Sequence, residues 1–122
     1  MKLVTKEILD TFKKTGSQEN EKDPKIIVKF FTPFSNWTWY ATEFDGDDTF
    51  FGLVDGTYKE WGSFSLSELK SVTGFGGLGI ERDLYFGDKR ISDVEPKHTH
   101  KLPDYEVYAD KVLSGEIKSW KF

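Results

Sequence analysis

Apolar and polar residues alternate along much of the first half of this chain, and that two-residue period predicts β-strands. Lys25 to Thr32 (KIIVKFFT), rich in β-branched and aromatic residues, reads as a first strand, followed by a turn over Pro33–Asn36. Trp37 to Asp45 (WTWYATEFD) reads as a second, with Trp37, Trp39 and Ala41 on one face and Tyr40 and Phe44 on the other. Apolar groups on both faces call for cover on the second side, from a helix layer or a partner. After the turn Gly46-Asp47-Asp48, Thr49 to Val54 is a third strand, Asp55-Gly56 a hairpin signal, and Tyr58 to Phe64 a fourth strand. Tight turns between successive strands predict an antiparallel meander.

Elsewhere the period is helical. Ile8, Leu9 and Phe12 fall on one face of a short helix over Val4–Thr15, with Thr5 as N-cap, Glu7 in the first turn, Lys13-Lys14 in the last and Gly16 closing it. Ser65-Leu66-Ser67-Glu68 has the form of a capping box and predicts a helix to about Val72. Ile80 to Phe86 is a fifth strand or an extended segment, and Ile91 to Glu95 one helical turn. Asp104 to Leu113 is expected to be a helix capped by Asp104, and the tail EIKSWKF an edge strand or a docked end. Together these predict one α+β domain: an antiparallel meander sheet of four or five strands with two or three short helices packed mainly on one face. Within it, residues 1–16 form the N-terminal helix, 17–24 (polar, ending in Pro24) a flexible connector, 25–88 the sheet and helix core, and 89–122 a C-terminal extension.

Composition narrows the function classes. The chain has 122 residues, enough for one domain with a core that needs no staples. Eleven Phe, five Tyr and four Trp favour sheet. The net charge is −4 and no basic run exceeds Lys13-Lys14, which argues against a nucleic-acid footprint. Without cysteine there is no disulfide, thiolate metal site or cysteine nucleophile. No apolar run approaches the ~20 residues of a bilayer span, and the start MKLVTKEILD lacks a signal-peptide core, so a cytoplasmic protein with no membrane partner is expected.

Several patterns invite a chemical reading. Gly74-Phe75-Gly76-Gly77-Leu78-Gly79 fits the dinucleotide fingerprint by letter, but that motif needs a strand before it and a helix after it, and here a capped helix precedes it. A structural turn is the better reading. Arg82, one of two arginines and set between Glu81 and Asp83, has the planar fork that suits a bidentate anion or partner contact. The competing reading pairs it internally with Glu43 or Glu60, which interrupt aromatic-rich strands. The meander carboxylates lie mostly in turns, where Asp is common for local hydrogen bonding, so they give no catalytic pair. His98-Thr99-His100 offers too few ligands for a metal site. No cofactor, metal or catalytic residue is therefore assigned. Trp37, Trp39 and Trp61 are a candidate aromatic patch for stacking a ligand or partner, against the plainer reading that they are core.

The order FFTPFSNWTWYATEFDGDDTFFGLVDG followed by EWGSFSLSELKSVTGFGGLGIERDLYF resembles the bacterial family known as domain of unknown function 2958. The resemblance rests on an FTP phrase, a Trp-containing strand ending in an acid, a GL hairpin, the SLSEL segment and the ERD-x-x-F close, from Phe31 to Phe86. It implies a small bacterial protein of the kind often carried on plasmids, phages or other mobile elements, and it brings no catalytic residues with it. The expected function is a non-enzymatic interaction domain with a protein partner, an accessory or anti-defence factor of such an element. The alternative is a small-molecule or nucleotide-binding protein or enzyme that uses Arg82 and the meander carboxylates.

Overall fold

The computed structural model describes residues 2–95, Phe75 by its backbone alone. The expected C-terminal helix, the tail and His98-Thr99-His100 lie outside the described residues. Helix α1 is Lys6–Thr15. Strands β1 (Lys25–Ile26), β2 (Val28–Phe31), β3 (Thr38–Phe44), β4 (Thr49–Asp55) and β5 (Lys59–Ser65) follow, then α2 (Leu66–Ser71), β6 (Glu81–Arg82), β7 (Lys89–Arg90) and α3 (Ile91–Val94). The main sheet has five antiparallel strands in the order β5-β4-β3-β2-β6, and β1 pairs with β7 in a separate two-stranded sheet. This is the expected α+β meander.

Two apolar clusters lie on opposite faces of that sheet. On the first face Val28, Phe30, Trp39, Ala41, Phe50, Val54 and Phe64 meet Leu3 and Phe12 from the N-terminal region, Leu69 of α2 and Ile80. The Phe50 ring sits between neighbours, with centroids 5.3 Å from Phe30, 5.3 Å from Phe64 and 4.3 Å from Phe44. On the second face Phe51, Leu53 and Trp61 pack with Ile26, and Ile91 of α3 contributes to the same cluster, with Tyr40, Phe86 and Val94 at its margin. Helices α1 and α2 thus cover the first face and α3 the second.

Three differences from the sequence pattern have local causes. The register between β3 and β4 slips between Ala41 and Glu43, a β-bulge. The extra residue returns Phe44 to the face of Trp39 and Ala41, where the strict alternation had put it opposite. The first expected strand breaks at Ile27 into β1 and β2, because β1 leaves the main sheet to pair with β7, Lys25 opposite Arg90 and Ile26 opposite Lys89. The connector 17–24 is anchored rather than flexible. Gln18 is buried, donates from Nε2 to the carbonyls of Lys25 and Thr42 (both 2.8 Å), and accepts at Oε1 from the Lys25 N–H at 2.7 Å. Asp23 accepts from the Ser92 N–H at 2.9 Å and from the Ser92 hydroxyl at 2.6 Å, fixing the start of α3.

The helix starts follow their caps. Thr5 Oγ1 accepts from the Ile8 N–H at 3.2 Å and Ser65 Oγ from the Glu68 N–H at 2.9 Å. Asp48, in the β3–β4 hairpin, adds support for α2: its Oδ1 accepts from the Ser67 N–H and its Oδ2 from the Ser67 hydroxyl, each at 2.8 Å. Free N–H groups of a first turn are thereby satisfied from a distant loop.

Candidate functional site

The stretch from Gly74 to Gly87 carries three of the four exposed large hydrophobic residues among the described residues, Leu78, Leu84 and Tyr85. The glycine cluster is a closed turn. Gly74 N–H donates to the Leu78 carbonyl at 2.7 Å, Gly77 N–H to the Gly74 carbonyl at 3.1 Å, and Thr73 bridges Gly79. Gly76 and Gly77 both have positive φ (73° and 78°), the left-handed region that glycine enters without steric cost. A strand, β6, leaves this turn, so the helix N-terminus that a dinucleotide site requires is missing. Instead the turn holds Leu78 out, 48% exposed.

Strand β6 puts Arg82 and Glu81 on opposite faces of the sheet. Arg82 lies opposite Phe30 in the register, on the face of α1, while Glu81 lies opposite Phe31 on the other face. Arg82 lines a groove of about 290 Å³ with Thr5, Ile8 and Thr11 of the α1 region, and its Nη1 is sealed from solvent. The strand order sets one of the two expected internal partners far from it. Glu60 is exposed on β5, four strands away or roughly 19 Å at the ordinary interstrand spacing. Glu43 pairs with Phe51 on the opposite face. Asp83 does line the same groove, but its Oδ2 meets Lys29 Nζ at 3.4 Å and its Oδ1 accepts from the Tyr85 N–H at 3.0 Å. Its carboxylate is engaged in shaping the turn that follows.

That turn presents Leu84 and Tyr85, 57% and 93% exposed. It is fastened on both sides. Asp83 holds its entry, and Phe86 turns inward against Tyr40 at 6.0 Å between centroids. Lys89 Nζ lies over the Phe86 ring at 4.7 Å and donates to the Phe86 carbonyl at 2.8 Å, and Lys29 Nζ approaches the same ring at 5.7 Å. Gly87 closes the turn at φ 75°. An inward aromatic beside two outward apolar residues is the sequence LYF in place.

The tryptophans do not form one surface patch. Trp39 is fully buried on the first face and Trp61 is buried on the second. Trp37 stacks on Trp39 at 5.9 Å, half-buried, with its ring directly against Gly56. They are core.

An ion pair unforeseen in the sequence lies at the second face. Lys59 Nζ meets Glu95 Oε1 at 2.7 Å, with the Glu95 side chain only 3% exposed. The hydrogen bond that Lys59 donates to Glu95 holds its ammonium above its usual range, against a smaller opposing effect of burial. Its sign is that of a stabilising pair at neutral pH whose contribution is lost as pH rises through the folded-state value. Tyr40 sits beside this cluster, and burial first, then the charges of Asp55, Glu95 and Asp83, push its phenol up. Residues 36 positions apart form this pair, and no local pattern marks it.

Among the described residues no group of three or more His, Asp or Glu side chains is placed to hold a metal. Asp45, in the acid-rich hairpin, is turned to structural use: its Oδ1 accepts from the N–H groups of Asp47, Asp48 and Thr49 at 2.8, 3.0 and 3.0 Å. No described helix is long and apolar enough to cross a membrane. A comparison with curated proteins and another with solved structures each find no match. A family described as Protein of unknown function (DUF2958) matches residues 3–97, taking in α1 and α3 as well as the Phe31–Phe86 stretch that carries its phrases. With that much of the fold covered, the chain belongs to the DUF2958 family.

Proposed function

We propose that this domain is a non-enzymatic protein-interaction module whose contact surface is centred on the Leu84–Tyr85 turn. The observation that carries the reading is a tyrosine 93% exposed at the tip of a turn anchored on both sides. A large aromatic held rigidly in solvent loses little conformational freedom on binding, which is why Tyr is enriched among the residues that dominate interfaces. Nothing in the fold of the turn needs the two side chains outside: Asp83, Phe86 and Gly87 fix its shape without them. The bacterial mobile-element setting that the family resemblance implies fits a small accessory or anti-defence factor acting by occupying a partner.

The groove beside Arg82 supports a second reading, a small anionic ligand held by the guanidinium. At about 290 Å³ it lies at the lower end of the range for small-molecule sites, and of the two acidic residues that line it, Glu7 and Asp83, the second is engaged by Lys29.

Affinity capture from the native host, comparing the unaltered chain with Leu84→Glu/Tyr85→Ser, tests the leading reading. One partner should be recovered in stoichiometric amount by the unaltered chain and lost with the variant, while the melting temperatures agree within a degree or two, as surface changes allow. A partner retained by the variant would move the contact elsewhere. A small anion that stabilises the chain and fails to stabilise Arg82→Lys would favour the second reading.

A further inference from the structure

The glycine turn forms one wall of a second groove, of about 700 Å³, whose other walls are the N-terminal segment and α2. Leu3, Leu66, Leu69 and Ile80 lie along it, and Leu78 stands 48% exposed at its edge. The charged residues that line it are Lys2, Lys70 and Glu81, both lysines exposed. Its local balance is therefore positive on a chain whose net charge is −4. An acidic segment approaching this molecule is repelled by the surface at large and attracted here.

We propose that this groove takes a short acidic segment of a partner protein, with apolar side chains set on the Leu3–Leu69–Ile80 floor and carboxylates meeting Lys2 and Lys70. The glycines acquire a reason beyond the turn. Gly77 and Gly79 line the groove, and without side chains there they let a bound chain approach the backbone closely. Leu78, between them, supplies the apolar contact. The volume lies within the range that encloses a few large side chains. The proposal rests on the interaction reading, yet it stands or falls at different residues: Leu78, Lys2 and Lys70 here, Leu84 and Tyr85 there.

The test is panning of a phage-displayed library of random linear peptides against the purified full chain. Enriched peptides are then resynthesised and their affinities measured for the unaltered chain, Leu78→Glu, Lys2→Glu/Lys70→Glu and Leu84→Glu. Enriched sequences should pair two or more Asp or Glu with large apolar residues. Their binding should weaken about tenfold or more with Leu78→Glu and with the double lysine reversal, and stay unchanged with Leu84→Glu. Circular dichroism of each variant should match the unaltered chain, since all the altered side chains are exposed. Absence of any enriched sequence, enrichment without acidic bias, or equal binding to the lysine variant would overturn the proposal. Loss with Leu84→Glu but not with Leu78→Glu would also overturn it, placing the peptide on the turn.

Discussion

Gln18 shows how much one side chain can fix. Its amide closes three hydrogen bonds to backbone groups of Lys25 and Thr42, holding a polar connector against the sheet. Replacing it by leucine leaves those backbone groups without that partner in a buried setting. The expected loss is about 3 kcal/mol, read as a lower midpoint in urea unfolding; a loss below about 1 kcal/mol would mean that water takes its place. Asp45 is a polar anchor of a different kind. Its slight burial pushes the carboxyl up, but the backbone N–H groups of Asp47, Thr49 and Asp48 together outweigh this and leave it below the usual range. A depressed carboxylate contributes stability above its unfolded-state pKa and loses it as pH falls through the folded value. Asp45→Asn should therefore be less stable than the unaltered chain by a constant margin above about pH 4, and that margin should shrink in more acidic solution. Thermal melts over a series of acid pH values check this, and a margin independent of pH would contradict it.

At the scale of elements, the meander and the two capped helices were legible because alternation and capping are local signals. The bulge in β3 was not: Ala41-Thr42-Glu43 carries no mark in composition, and its effect is to move Phe44 across the sheet. Gly52 is the residue that accommodates it. It lies opposite Ala41, and a Cβ there would run into the Tyr40 carbonyl. Gly52→Ala should therefore push β3 and β4 apart, costing about 2–3 kcal/mol and lowering the melting temperature by roughly 10 °C. A melting temperature within a degree or two of the unaltered chain would show that the strands adjust without strain. The sequence leaves Trp37, Trp39 and Trp61 between an aromatic patch and core for a related reason. Apolar groups on both faces of a strand mean either surface or two cores, and only the placement of α3 against Trp61's face decides between them. Sequence alone leaves Glu43 and Glu60 both open as internal partners of Arg82, because it does not give strand order. Strand order puts β6 at the far edge from β5, which takes Glu60 out of reach of Arg82.

At the scale of the whole molecule, the exposed apolar residues Leu78, Leu84 and Tyr85 belong to one stretch of chain, the same stretch that closes the family's sequence phrases. The sequence drew attention to that stretch through its glycines and its arginine. The fold transfers the interest to their neighbours, since the glycines shape a groove wall and the arginine lines a groove beside α1. Tyr58, 70% exposed in the β4–β5 hairpin, gives an internal comparison: it is another exposed aromatic, but on a hairpin tip at the opposite edge of the sheet. A photo-crosslinking phenylalanine analogue placed at Tyr85 or at Tyr58, and activated in cells of the native host, reads contact directly. A discrete adduct of one mass formed from position 85 and not from position 58 is the result predicted by an interaction surface centred on the Leu84–Tyr85 turn. No adduct from position 85, or the same adducts from both positions, would contradict it.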